Sequence, residues 1–405
     1  MTDAAIDFEA RRVIEALRAG VPSRAVGQYF SSARQDILSL VSKKLGSARE
    51  SGVSAGMVIT GKYGEGKTHL LNTVFNMAQG ANMAVSLASL GKETPLDKPW
   101  LVYQKLLQNT YLPNRMQPGF LDALSNVTPN SPIAEEMTAY TATRLESDKL
   151  FYLFRSYLHT DDPDEKHMLL SDLEGDFIGN NALKQIYKRI FSEKCAFKNT
   201  FSKTKHAGDY FSMLSHLLLQ LGCSGWAILF DETELTGRLG KKARLRAYRN
   251  MAGFLFPGDG LQSAFSLFTV TDSYAEEVIE GKREHENLAA SDFKAEDAEA
   301  ARRALDAIES AIQLKPLTKG EISLIIEKLI DFYKRAYGWG PDINMPELYA
   351  ATDNRGYLLR TRIRAVVECL DQLYQYSQVG DIRIDDLGQM RYEEDVPELP
   401  MPDED

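Results

Sequence analysis

The chain has 405 residues, of which 44% are hydrophobic and 26% charged, with a formal net charge of −10. That length allows two or three domains, or one large α/β core with an appended lid. The acidic balance excludes a surface that binds nucleic acid all over, so any such contact must be local. Three distant cysteines without Cys-x-x-Cys spacing and six scattered histidines exclude a disulfide framework and a Cys/His zinc site, which suits a reducing cytoplasm.

Met1 to Gly20 carries Asp3, Asp7 and Glu9 ahead of its arginines, with Val13, Ile14 and Leu17 at helical spacing. This predicts a short helix rather than a secretory signal. No apolar run approaches the roughly 18 residues of a membrane span. Gly20-Val21-Pro22-Ser23 reads as a turn, so residues 1–24 are set apart from a nucleotide core over 25–317. From Ala25 to Leu45 the apolar residues Phe30, Ile37, Leu38, Leu40, Val41 and Leu45 fall broadly on one helical side.

Gly56-Met57-Val58-Ile59-Thr60 predicts a short buried strand, and His69 to Ala78 holds Leu70, Leu71, Val74, Phe75 and Ala78 at helical spacing. Between them Gly61-Lys62-Tyr63-Gly64-Glu65-Gly66-Lys67-Thr68 matches G-x-x-x-x-G-K-[ST] at every position. Glycines let the backbone wrap closely enough for its N–H groups to surround phosphates, and the following helix points its positive end at the same place. Lys67 would reach the phosphate oxygens, and the Thr68 hydroxyl would take one Mg²⁺ position. Gly61 to Thr68, with His69 next in line, are the expected ATP-binding residues. An ordinary glycine-rich strand-to-helix turn is the alternative, and both flanks argue against it.

Asn82 to Leu90 predicts the next strand. Residues 96–222 are too long for a plain crossover and read mostly helical, over Trp100 to Leu112, Phe151 to His159, Ala182 to Phe191 and Ala207 to Leu221. They form a helical insertion broken by Thr160-Asp161-Asp162-Pro163-Asp164. Gly225 to Phe230 is then a continuous apolar strand ending in Asp231-Glu232. The carboxyl ends of parallel strands share the edge that holds the phosphate loop, which places Asp231 as a second Mg²⁺-associated group and Glu232 as the residue that polarises attacking water. Two carboxylates in a solvated turn are the alternative, and Glu234 is close enough to share the role.

Arg238, Lys241, Lys242, Arg244, Arg246 and Arg249 pack six cations into about three helical turns, with Lys242, Arg246 and Arg249 on one face. Such a face could supply an arginine finger to a neighbouring subunit, contact a nucleic-acid backbone, or be merely solvated. The strand from Ala264 ends in Thr271 and Asp272, expected beside Asp231, where Thr271 could hold the lytic water or sense the γ-phosphate. Residues 274–310 read helical and highly charged, with Arg302 and Arg303 as further finger candidates. Ala311 to Leu317 is a last short strand. Thr318 to Tyr337 and Leu358 to Ser377 are two amphipathic helices of a lid over 318–390, in which Arg355 is the first choice, and Arg360 the second, to fold over the triphosphate. The acidic tail, 391–405, is expected to be disordered. The alternation of strand and helix predicts a parallel sheet with helices on both faces.

Together these features resemble an AAA+ type P-loop ATPase: phosphate loop, Asp-Glu strand, polar-ended sensor strand, then Leu314-Lys315-Pro316-Leu317-Thr318 leading to a helical lid bearing Asn354-Arg355. A closer resemblance is to the bacterial BREX-system ATP-binding family, the BrxC/BrxD group. It rests on Gly61 to Leu71, on Leu219 to Trp226 leading into Phe230-Asp231-Glu232-Thr233-Glu234, on Arg246-Ala247-Tyr248-Arg249-Asn250 and on the Asn-Arg pair. Thr233 departs from that family's Asp-Glu-Ala-Glu tendency. The resemblance implies a cytoplasmic role in defence against phage DNA beside a helicase or other DNA-acting subunits.

Origin-recognition ATPases share this core but append a winged helix, and here the chain ends soon after its lid helix. That favours a component of a larger assembly, with ATP and Mg²⁺ as cofactors, DNA met through the local basic helix, no membrane, and homo-oligomers formed with ATP or DNA. A non-hydrolysing, ATP-ordered scaffold is the second reading. A small-molecule phosphotransferase is the third, and no acceptor-binding motif supports it.

Overall fold

The computed structural model describes residues 7–21, 23–31, 33–340, 348 and 359–379. The larger of two units runs from Pro22 to Ile325, and the smaller joins residues up to Val21 with those from Ile326 onward. Strands β1 (Ala55–Gly61), β2 (Ala84–Ser89), β3 (Thr110–Tyr111), β4 (Trp226–Asp231), β5 (Ala264–Thr271) and β6 (Ile312–Gln313) form one sheet in the order β3-β2-β4-β5-β1-β6. Every neighbouring pair is parallel except β2 with β3. This is the mixed α/β sheet of a P-loop NTPase-like fold.

The helices are α1 (Phe8–Ala19), α2 (Arg24–Tyr29), α3 (Gln35–Ser51) and α4 (Lys67–Gly80), followed by the insertion helices α5 (Pro99–Gln108), α6 (Phe120–Leu124), α7 (Pro132–Thr143), α8 (Lys149–His159), α9 (Pro163–Ser171), α10 (Asn180–Phe191) and α11 (Lys203–Gln220). After β4 come α12 (Lys241–Leu255), α13 (Glu284–Ala289), α14 (Ala295–Glu309), α15 (Lys319–Tyr337) and α16 (Leu359–Tyr376). Strands this apolar are buried on both sides, and alternate residues serve opposite layers. Met57, Ile59, Ala227 and Leu229 share a core with Val41, Leu71 and Val74 of α3 and α4. Val58, Ile228, Phe230 and Phe268 belong to the core on the insertion side.

Three elements differ from the sequence expectation, each for a local reason. The apolar side over 25–45 splits into α2 and α3 because Arg34 turns left-handed, at φ 63°. The helix expected from Trp100 to Leu112 stops at Gln108, and Thr110 and Tyr111 join the sheet, the Thr110 hydroxyl lying 2.7 Å from that of Ser86. The charged stretch 274–310 is broken by Arg283, at φ 55°, into a π turn over Ala275–Glu280, then α13 and α14.

In the smaller unit Arg18 of α1 donates to both carboxylate oxygens of Asp371 on α16, at 2.9 and 2.7 Å, and to the Tyr337 hydroxyl at 3.0 Å. Tyr333 donates to the same carboxylate at 2.7 Å. The N-terminal helix thus groups with the last helices of the chain. Asn354, Arg355 and the acidic tail lie outside the described residues.

The insertion is centred on a dry ion pair. Lys149 of α8 and Asp172 are 2.5 Å apart with both side chains fully buried. The lysine also donates to the Ile178 carbonyl at 2.9 Å, and the carboxylate accepts from the Tyr210 hydroxyl at 2.5 Å. Burial pulls the lysine pKa down and pushes that of the acid up, while their mutual attraction opposes both shifts. Removing one partner of such a pair leaves an uncompensated buried charge. Asp172→Asn should therefore lower stability in urea denaturation by about 3–5 kcal/mol, and the Lys149→Met, Asp172→Leu double variant should recover most of the loss.

Candidate nucleotide site

β1 delivers the chain to Gly61, and α4 starts at Lys67. The intervening loop turns on Gly64 and Gly66, at φ 77° and 93°, a region that side chains with a Cβ rarely enter. Lys67 is buried, and its ammonium donates to the carbonyls of Gly61 at 2.9 Å and Lys62 at 3.3 Å. Glu65 closes the loop on itself, its carboxylate accepting from the Lys62 amide at 2.8 Å. The loop is thus arched around its own lysine at the positive end of a helix, which is the geometry that cradles phosphate.

Strand register fixes what faces this loop. Ser89 of β2 pairs with Asp231 of β4, and Phe230 pairs with Phe268 of β5, so the residue level with Asp231 on β5 is Thr269. The Thr68 hydroxyl donates to one oxygen of Asp231 at 2.6 Å, and the Thr269 hydroxyl donates to the other at 2.7 Å. Thr271 lies two residues further along, paired with Gly61 of β1. Glu232 leaves the strand in a left-handed conformation, φ 57°, with its amide on Asp231 at 3.0 Å and its carboxylate accepting from the Ser89 hydroxyl at 2.5 Å.

Glu234 follows in a 3₁₀ turn, Thr233–Arg238. One of its oxygens is buried without a hydrogen-bond partner, and burial raises its pKa, helped by Asp231 and Glu232 and opposed by Lys67. The acidic group of the site is therefore Asp231, Glu232 and Glu234, met by the single buried ammonium of Lys67.

A polar ladder holds α4 from the side opposite its sheet contacts. Asn76 donates to the Arg24 carbonyl at 2.8 Å, Thr73 to that of Gly27 at 3.3 Å, and His69 meets that of Phe30 at 3.1 Å. Gly27 is needed for this approach, since a Cβ there would stand 2.8 Å from the Asn72 backbone. Burial keeps the His69 pKa below its ordinary value, so the ring is neutral at pH 7. Arg34 ends the ladder, donating to the Glu65 carbonyl at 2.7 Å.

The cationic face of α12 is largely spoken for. Arg246 lies 3.3 Å from Asp97, and Arg249 lies 3.5 Å from Asp297 and donates to Asn250. Arg244 is buried against Glu284 at 2.6 Å. Lys242 is exposed. Arg302 pairs with Glu299 on its own helix, and Arg303 lies over the Phe256 ring.

Ser89, Thr269 and Arg34 were not legible as site residues. Ser89 is the exposed last residue of β2, which also carries Ser86. Thr269 is hidden inside an apolar run, and only the register reveals it.

A parallel sheet with a glycine-turned loop, a buried lysine and an acid-ended strand on one edge defines a phosphate-loop nucleotide-binding protein. The family model of the BREX system ATP-binding protein BrxC/D matches residues 7–128 and 152–383. The chain belongs to that family, the ATP-binding proteins BrxC/D of the BREX phage-defence system. No curated protein matches it at a significant level. No helix among the described residues is long and apolar enough to cross a membrane.

Lys67 is the buried ammonium around which the loop is arched, so Lys67→Ala should weaken ATP binding by at least about tenfold, the loss of one charge-assisted phosphate contact. Equilibrium titration with a fluorescent ATP analogue checks this.

Proposed function

We propose that the chain is an AAA+ type subunit that hydrolyses ATP. The observation that carries this reading is the Thr68–Asp231 contact at 2.6 Å, with Glu232 next in sequence on the same sheet edge. A hydroxyl and a carboxylate brought together are hard oxygen donors, and they suit Mg²⁺ with its remaining positions left to water and phosphate. When bound, the ion would neutralise charge on the phosphates. Lys67 would turn from the loop carbonyls to the phosphate oxygens. Glu232 would orient a water and take its proton as the bond to the terminal phosphoryl group breaks, giving ADP and phosphate. In this reading Thr271 and the lid residue Arg355 attend the terminal phosphate, and 318–390 serves as the lid.

Glu232→Gln should lower the rate of phosphate release by about 10²–10⁴-fold while ATP binding persists. An unchanged rate would sink the assignment.

The Ser89–Glu232 contact favours a second reading, a switch in which the carboxylate is held away from water until a partner engages. On that reading Ser89→Ala raises basal phosphate release several-fold without any partner present, and a fall in rate would rule it out. DNA is the expected activating partner, met through Lys242, Arg246 and Arg249, with assembly into homo-oligomers in ATP or DNA. Mass in solution with ATP, Mg²⁺ and duplex DNA tests assembly. DNA affinity that falls steeply with salt, and falls further with charge removal at these three residues, tests the contact.

A further inference from the structure

Arg34 is unusual in three respects. It occupies a left-handed backbone position, at φ 63°, just before α3. Its guanidinium bridges two separate segments, donating to the Glu65 carbonyl in the phosphate loop at 2.7 Å and to the Lys315 carbonyl at 3.2 Å. Its backbone amide donates to the Glu321 carboxylate at 3.3 Å. Glu321 in turn accepts from the Thr318 amide and hydroxyl, each at 2.8 Å, and the Thr318 hydroxyl accepts from the Glu321 amide at 3.2 Å. That reciprocal exchange is a capping box, and it fixes the first turn of α15.

The guanidinium is not saturated. Its Nε is buried without a partner, and a Cβ on Gly66 would stand 3.5 Å from Nη1. A buried donor left unmade is costly, so the group gains whenever the loop presents an acceptor or an anion to it. Arg34 also follows directly on the segment that meets α4 through Asn76, Thr73 and His69.

We propose that Arg34 is a positioning residue that couples the state of the phosphate loop to the first turn of α15. Loop carbonyl 65 and lead-in carbonyl 315 are both held by one guanidinium nitrogen, Nη2, so a loop rearranged around nucleotide pulls on residues 315–321 directly. This rests on the reading of Gly61 to Thr68 as the nucleotide site, and it adds a route by which occupancy of that site reaches α15. A lysine does not replace Arg34, because its Nζ ends one bond short of the Nη2 position that donates to both carbonyls.

The test is hydrogen exchange of amides 315–324 with and without ATP in the full chain, beside Arg34→Lys and Glu321→Gln. In the wild type, ATP slows exchange over this segment several-fold. Arg34→Lys still binds a fluorescent ATP analogue within about threefold of wild type but loses the ATP dependence of exchange, and the bound ADP analogue leaves about tenfold faster, the effect of one charge-assisted hydrogen bond. Glu321→Gln, which keeps both contacts of the Arg34 Nη2, reduces the exchange response without altering ADP release. The proposal is overturned if Arg34→Lys keeps the wild-type exchange response to ATP, or if wild-type amides 315–324 do not respond to ATP at all. If Lys67→Ala binds nucleotide as the wild type does, the loop assignment fails and the coupling fails with it; normal loss of binding in Lys67→Ala with an unaltered Arg34→Lys response sinks the coupling alone.

Discussion

The Thr68 hydroxyl donates to the Asp231 carboxylate at 2.6 Å across 163 positions of sequence. This contact requires the β1–β5–β4 order of the sheet. Inserting β5 between the loop strand and the acid strand sets them two strand spacings apart, roughly 10 Å. The first turn of α4 and the end of β4 then reach toward each other over the edge of β5, and Thr269 on that strand takes the remaining oxygen. With both oxygens engaged, the carboxylate has one orientation, and the site is organised before any ligand arrives.

The same organisation has an electrostatic price at Glu234. Three carboxylates gather near one buried ammonium, and the least exposed of their oxygens finds no partner. Burial, with Asp231 and Glu232, pushes the Glu234 pKa up, and the residue's own backbone amide and Lys67 resist. A cationic ligand or a movement of Lys67 therefore changes the electrostatic field at this turn as well as its contacts. The turn leads into α12, so the acid cluster sits where a change at the nucleotide would be felt by the basic helix.

The phosphate loop was legible because its chemistry demands a fixed local spacing, glycines at 61, 64 and 66 and then Lys67-Thr68. Asp231 and Glu232 were legible because an apolar run must stop where the sheet meets solvent. Thr269 and Arg34 were hidden because each acts through a partner set by register or by long-range packing, and Ser89 because it is one of two serines on its strand. The helix break at Arg34 shows the limit best. Apolar spacing over 25–45 predicts one helical side, yet the backbone turns left-handed at Arg34, held by Glu321 from almost three hundred residues away. The grouping of α1 with α16 had no local signal either, since Arg18 and Asp371 are separated by 353 positions.

The charge of α12 separates structural cations from those with work left to do. Arg244, Arg246 and Arg249 face Glu284, Asp97 and Asp297, and these pairs bind the helix to its surroundings. The burial of Arg244 makes its pair structural, because neither charge could be left alone there. Lys241 and Lys242 are different. They occupy the first turn, where the helix dipole disfavours cations, and no acidic residue accompanies them. Two exposed lysines therefore stand at the end of the helix where its dipole gives them no support, on a protein whose net charge is negative.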